Sequence, residues 1–335
     1  MIPKLRVSVN SDCNFRCVYC PRGPAVTMEN YSGVDEPVLE ADELIGILSE
    51  MKKCGLQKAH FTGGEPLLRP DLIEIISGAT SLGLDVELNT NGLGLNENLV
   101  EALRDAGVNL LKVSLDAADS ASFHEITGVD GFARVITGIK AAVEAMPVRL
   151  NTVVICRNME QLGKIIRLAE EMGAAAIHLL DLTYYSSEAG RKFWMEEFVC
   201  LQTEVQPWLE DKLKLRFEPM GIYGCRFSSV TLPESGLSVV LKEADRTMRH
   251  SQYCTGCPNY CHEGVFTLRL SSDGYLNVCP ANNQLGVNAL KIMESGQLRE
   301  IMDGYSKLFD ESSPCDSFEA FLLSNKLTLS GGDQK

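Results

Sequence analysis

No apolar run in these 335 residues reaches the roughly 20 residues that a membrane-spanning helix needs. The opening stretch MIPKLRVSVNSDC lacks the apolar core and small-residue cleavage site of a signal peptide, which predicts a cytoplasmic protein. Positive charge is scarce as well. Lys and Arg together number 31 against 45 Asp and Glu, a formal net charge of −14. That balance argues against broad electrostatic capture of nucleic acid or of an anionic membrane, but leaves room for a small anion held by a local basic cluster. Internal repeats and low-complexity tracts are absent too, so nothing points to a solenoid or a disordered chain. What the chain has in quantity is cysteine, twelve in all. In a reducing compartment that number speaks for metal ligation or redox chemistry rather than a disulfide framework.

The first 182 residues alternate between two patterns. Short apolar, β-branched runs occur at 5–9, 58–62, 85–90, 110–115, 148–155 and 175–182, and amphipathic stretches such as ADELIGILSEMKKCG and NENLVEALRDAG separate them. Several of those stretches close on Gly, a common helix stop. Six β-then-α units in succession predict a parallel sheet with right-handed crossovers, either an open α/β sheet or a partial barrel. After residue 186 the pattern changes to a helix or helix pair over 187–213, where Trp194 and Trp208 read as packing residues. Turn-rich segments follow, then one further amphipathic helix over MESGQLREIMDGY and a small, polar end.

Cys13, Cys17 and Cys20 fall in the loop after the first strand, spaced C-x3-C-x2-C. A structural zinc site closes four ligands, and so does a purely structural [4Fe–4S] cube. Three thiolates leave one iron of such a cube open to a small molecule. With Tyr19 just before the last cysteine, this spacing resembles the signature of radical S-adenosylmethionine (SAM) enzymes. The resemblance implies a [4Fe–4S] cluster whose open iron chelates SAM. It also implies cleavage of SAM to a 5′-deoxyadenosyl radical that abstracts hydrogen from a substrate carbon, with Cys13, Cys17 and Cys20 as the catalytic cluster ligands. TGGEP, with Thr62, Gly63, Gly64, Glu65 and Pro66, follows the second strand, and its glycines suit close approach of backbone to a ligand. NTNG, with Thr90 and Asn91, ends the third strand, and VSLDA, with Ser114, ends the fourth. In the resembled family these segments contact SAM. All lie at the C-terminal ends of strands, the catalytic rim of a β/α barrel. The expected fold is therefore α/β, a partial (β/α)6 TIM-type barrel with a C-terminal auxiliary iron–sulfur region.

A closer resemblance runs to the GTP cyclase family of molybdenum-cofactor biosynthesis, carried by SDCNFRCVYC, TGGEPLLRPDL, NTNGLGL, VSLDAADSASFHEITG and RLNTVVI. It implies a substrate-binding role for Arg6, Lys58 and Arg149, a basic set suited to phosphate or carboxylate. His178 and Arg269 stand at further family substrate positions, with departures. His178 replaces an Arg, and Thr267 replaces one member of an Arg-x-Arg pair, leaving Arg269. The family's terminal Gly-Gly is matched by Gly331 and Gly332, but Asp333, Gln334 and Lys335 follow. GTP itself is thereby left open.

A second group, Cys254, Cys257, Cys261 and Cys279, suits zinc or an iron–sulfur cluster equally on spacing. The resemblance favours an auxiliary [4Fe–4S] cluster, with three or four cysteine ligands. Of the remaining five cysteines, Cys54, Cys156 and Cys200 read as structural. Cys225 is a possible spare ligand, and Cys315 lies near the end. The layout that follows is a radical SAM core over 1–185, helical linker and barrel closure over 186–250, an auxiliary-cluster region over 251–325 and a tail over 326–335. The leading expectation is a radical SAM enzyme acting on a small, anionic, nucleotide-like substrate in cofactor or natural-product biosynthesis. It would be served by a reducing partner such as flavodoxin or ferredoxin, and would bind neither nucleic acid nor membrane. A peptide maturase or alcohol dehydrogenase with the same radical chemistry is the second reading, and a non-catalytic metal-binding regulator the third.

Overall fold

A computed structural model describes residues 4–21, 38–185, 187–214, 216–222, 225–242, 249–250, 267–277, 286–311 and 313–314. The six expected strands form, within two residues of their predicted bounds: β1 (Lys4–Ser8), β2 (Lys58–Thr62), β3 (Asp85–Thr90), β4 (Val108–Ser114), β5 (Val148–Val153) and β6 (Ala176–Leu180). Between them run α1 (Ala41–Lys53), α2 (Leu72–Ser81), α3 (Glu97–Asp105), α4 (Ser120–Thr127), α5 (Phe132–Ala145), the single turn α6 (Cys156–Met159) and α7 (Leu162–Glu171). Local chemistry sets several helix ends. The Asn96 side chain accepts from the Leu99 N–H at the start of α3, and Asp119 accepts from Ser122 at the start of α4. Gly128 ends α4 in the left-handed conformation, with φ 71°.

β1 to β6 pair in chain order, all parallel. The later chain extends this sheet at both sides. α8 (Glu188–Glu197), a π-helical turn over 201–205 and α9 (Gln206–Leu213) lead into β7 (Glu218–Ile222), β8 (Cys225–Thr231) and β9 (Ser238–Lys242). β9 adds parallel to β6, and β8 and β7 continue antiparallel. Beyond β1 lies β11 (Leu268–Leu270), also parallel, then β12 (Tyr275–Asn277) and β13 (Val287–Asn288), both antiparallel. The short strands β10 (Arg249–His250) and β14 (Ser313–Pro314) pair with each other. Of the helix or helix pair expected over 187–213 the structure has the pair, and Trp194 is buried in it against Tyr184 and Phe198. The single helix expected over 293–305 is instead two, α10 (Ala289–Ser295) and α11 (Leu298–Glu311). Gly296 at φ 72° caps the first and breaks the run.

Side chains alternate along the parallel strands. One face carries Leu5, Val7, Phe61, Leu88, Leu111, Leu150 and Ile177, none more than 0% exposed, packed under the helices. Complete burial of each such side chain contributes on the order of 1.5–3 kcal/mol. The other face is polar and charged, and the sheet curves around it. In a flat sheet, β1 and β5 would stand about 19 Å apart. Instead Lys4 on β1 feels the charge of Arg149 on β5. The architecture is an open, curved, mostly parallel sheet backed by helices, consistent with the expected partial barrel. Among the described residues no helix is long and apolar enough to cross a membrane.

Candidate active site

The rim loops at the C-terminal ends of β1, β2 and β3 are built on one another. Val9 N–H donates to the Thr62 carbonyl at 2.8 Å, Gly64 N–H to Asn10 O at 3.1 Å, and Glu65 N–H to Asp12 O at 2.6 Å. The Asn10 side chain returns a bond to the Glu65 carbonyl at 2.8 Å. This packing is what the two glycines serve. Gly63 sits at φ 152°, and a Cβ there would lie 2.5 Å from Asn10 Oδ1. A Cβ on Gly64 would overlap the Asp12 carbonyl. The close approach expected of these glycines is thus made to the cysteine loop itself.

Glu65 is buried at the centre of the rim. Its carboxylate accepts from Thr90 Oγ1 at 2.6 Å, Asn91 N–H at 2.7 Å and Leu67 N–H at 3.0 Å. Burial pushes its pKa up, and those three bonds oppose the shift. Asn91 in turn donates to Asn14 Oδ1 at 2.6 Å, inside the cysteine loop. Pro66 is buried and opens a short 3₁₀ turn after Glu65. Arg69, also buried, donates to the carbonyls of Val9 at 2.6 Å and Leu39 at 2.8 Å, fastening the base of the cysteine loop.

Cys13 is exposed, and Cys17 and Cys20 are half-buried in that loop; all three are free thiols. The Phe15 N–H points at Cys13 Sγ, 3.4 Å away. Burial first, then Asp116 and the neighbouring thiols, push the Cys17 thiol up. Burial likewise raises Cys13. Such thiols become thiolates only against a compensating cation, which iron supplies. Among the described residues no three His, Cys, Asp or Glu groups converge on one metal ion. A [4Fe–4S] cube binds each thiolate to a different iron, so three cysteines of one loop that do not converge on a single point fit it. Tyr19 Oη donates to Asp116 Oδ2 at 2.5 Å, and Asp116 Oδ1 accepts from Val153 N–H at 2.7 Å, tying the cysteine loop to β5. Burial raises the Asp116 carboxyl to about 6. Ser114 and Asn151 face each other in register at the ends of β4 and β5, and the Asn151 Oδ1 is buried with no hydrogen-bond partner.

Below the rim the interior face is cationic. Arg6, Lys112, Arg149, Lys242 and Arg269 join Lys4 and Lys58 there, against the carboxylates of Glu87 and Asp85. Lys58 binds Glu87 at 2.7 Å and Asp85 at 2.9 Å. Burial works against its charge, but those bonds outweigh it and raise its pKa. Lys4 binds Glu87 at 2.9 Å, and the buried Lys112 binds it as well. Glu87 is held deprotonated: burial opposes its charge, but Lys112, Lys4 and Lys58 win. The pair has a cost on the other side: burial, then Arg149 and Lys4, lower Lys112 to about 6 against the pull of Glu87. Arg149 is half-buried, its Nε buried without a hydrogen-bond partner, and burial lowers its pKa to about 10. His178 faces the same space from β6. Burial first, then Arg149, Lys112 and Lys242, drive it down to about 2, so it is neutral.

The structure thus brings Arg6, Lys58, Arg149, His178 and Arg269 onto one face. Sequence reasoning missed Lys4, His60, Glu87 and Lys112. The available signal was charge at inward positions of central parallel strands, which ordinarily read as apolar runs. Cys254, Cys257, Cys261, Cys279 and the terminal Gly331 and Gly332 lie outside the described residues.

Comparisons with known proteins agree with this geometry. Residues 7–169 match the Radical SAM superfamily. A protein of Saccharolobus islandicus (strain M.14.25 / Kamchatka #1) named probable GTP 3′,8-cyclase is 33% identical over 302 residues, 89% of each chain. The chain belongs to the radical SAM superfamily. A second probable GTP 3′,8-cyclase, from Pyrococcus abyssi (strain GE5 / Orsay), is 30% identical over 280 residues, covering 83% of this chain and 84% of the relative. Among solved structures, Streptococcus suis SuiB bound to S-adenosylmethionine superimposes with a TM-score of 0.65 at 17% identity. That match covers 90% of this chain but only 65% of SuiB, and the likeness is one of fold. As a radical SAM protein related to GTP cyclases, the chain is an enzyme of the GTP cyclase-like type, and the family implies a [4Fe–4S] cluster and SAM.

Proposed function

We propose that this radical SAM enzyme abstracts hydrogen from a small phosphorylated nucleotide or sugar nucleotide, leading to cyclisation, C–C bond formation or rearrangement. The observation that carries this reading is the cationic interior directly below the cysteine rim, in a chain of net charge −14. A charge excess of that sign inside an acidic protein is costly unless an anion occupies it. The names of the curated relatives, which specify GTP, support a nucleotide as that anion.

Cys13, Cys17 and Cys20 would hold the cluster, with Thr62 to Pro66, Thr90, Asn91 and Ser114 around SAM. When bound, cluster and SAM supply reductive cleavage to a 5′-deoxyadenosyl radical. The chain's own residues do the rest. Glu65 and Asn91 fix the cysteine loop against β3. Arg149 offers an unpartnered donor to a phosphate oxygen, with Arg6 and Arg269 in register on neighbouring inner positions. Neutral His178 is suited to hydrogen bonding rather than to charge. Cys254, Cys257, Cys261 and Cys279 would hold an auxiliary [4Fe–4S] cluster, and a flavodoxin or ferredoxin would supply electrons.

Anaerobically reconstituted protein should bind about eight iron atoms per chain, and Cys17→Ala about half of that. Reduced wild-type protein with SAM should form 5′-deoxyadenosine faster with guanosine phosphates than with guanosine. Equal rates with and without phosphate would refute the anionic-substrate reading.

A further inference from the structure

Glu87 is an unusual residue to find in the middle of an anion-binding face. It sits on β3, buried, and binds Lys4, Lys58 and Lys112 from three different strands. Asp85 takes a second bond from Lys58. Lys4, Lys58 and Lys112 are therefore already engaged by carboxylates of the chain itself. Burial also varies from position to position across this face. Glu87, His60 and Lys112 are buried, while Arg6, Asn89, Arg149, His178 and Arg269 on the same face are half-exposed. Register sets Arg6 and Arg269 level with His60 and Glu87, and Arg149 level with Lys112, so a buried, ion-paired centre on β2 to β4 is flanked on both sides by half-exposed arginines. A ligand on this face meets the flanking arginines and the Glu87 carboxylate side by side.

We propose that Glu87 is a specificity-determining residue, a built-in counter-anion that limits how much negative charge the substrate brings into the barrel. This rests on the anionic-substrate reading above. Each further phosphate charge that reaches the interior is repelled by Glu87 and competes with it for Lys4, Lys58 and Lys112. Arg149 keeps its fork for a compact phosphate group. In this enzyme a phosphomonoester is therefore penalised less than a triphosphate.

The test measures dissociation constants of guanosine, GMP and GTP for reconstituted, SAM-loaded protein by calorimetry. Glu87→Gln should lower the ratio of the GTP to the GMP constant by about tenfold, because one like charge in a partly desolvated site is removed. Lys112→Met leaves Glu87 held by Lys4 and Lys58, and should raise the same ratio. If Glu87→Gln leaves Lys112 stranded and the protein fails to fold, read from melting temperature and iron content, the double variant Glu87→Gln/Lys112→Met carries the test and should show a lower ratio than Lys112→Met. Tighter binding of GMP than guanosine, with a GTP-to-GMP ratio unmoved in the folded variants, overturns the role of Glu87 alone. Wild-type protein that binds guanosine as tightly as either phosphate overturns the anionic-substrate reading, and this proposal with it.

Discussion

Two buried glutamates, one in the loop after β2 and one on β3, are handled in opposite ways. Glu65 at the rim accepts from a hydroxyl and two backbone N–H groups, and its pKa is raised. Glu87 in the interior accepts from three lysines, and its pKa is lowered. The rim is thus held by hydrogen bonds from uncharged donors and by backbone contact, which fix geometry without bringing cations into the site. The interior is held by ions and keeps a surplus of positive charge. One region positions the cysteine loop; the other sets what can lie beneath it. Substitutions should separate the two.

The largest effect is expected at the rim. Gly64→Ala drives a methyl into the Asp12 carbonyl and displaces the cysteine loop. It should cost about half of the roughly eight reconstituted iron atoms, and with them all SAM cleavage, measured by iron assay and 5′-deoxyadenosine formation. Arg149→Met should leave iron and the rim intact but weaken binding of a guanosine phosphate about 30- to 1,000-fold, the usual cost of deleting one partner of a desolvated charge pair. Calorimetry on the reconstituted protein decides it.

A pH titration sharpens the comparison further. His178 has its folded-state pKa depressed to about 2 from an ordinary 6.5. Below pH 6.5 the unfolded chain takes up a proton that the folded chain refuses, so stability is lost as pH falls from 6.5 towards 2. His178→Gln should remove up to about 1.4 kcal/mol of that loss per pH unit, seen in denaturant melts between pH 6.5 and 4.5. The smallest effect belongs to neither region. Asn96→Ala removes the N-cap of α3 and should cost about 1 kcal/mol of stability, with iron content and nucleotide binding unchanged.

The rim was the more legible half. TGGEP, NTNG and the cysteine spacing are contiguous motifs, and short apolar, β-branched runs placed all six strands within two residues of their observed bounds. Even so, sequence could not say what Gly63 and Gly64 approach. The answer depends on how the loop after β2 lies against Asn10 and Asp12, more than fifty residues away in the chain. The interior was harder because it is made by register. Glu87 in DVELNT looks like an ordinary solvent-facing member of an alternating strand. Only the pairing of β3 with β2 and β4, and the curvature that brings β1 alongside, show that it faces three lysines. The break at Gly296 was missed for a local reason. MESGQLREIMDGY keeps helical periodicity through the glycine, and only its positive φ shows that the chain turns there.

Deuterium transfer tests the central claim most directly. Reduced, reconstituted enzyme would be incubated with SAM and guanosine or guanosine phosphates deuterated on the ribose, and 5′-deoxyadenosine analysed by mass spectrometry. The account predicts deuterium in 5′-deoxyadenosine from a phosphorylated nucleotide and far less from the nucleoside. Transfer from the nucleoside alone, or SAM cleavage with no transfer from any nucleotide tested, would contradict it.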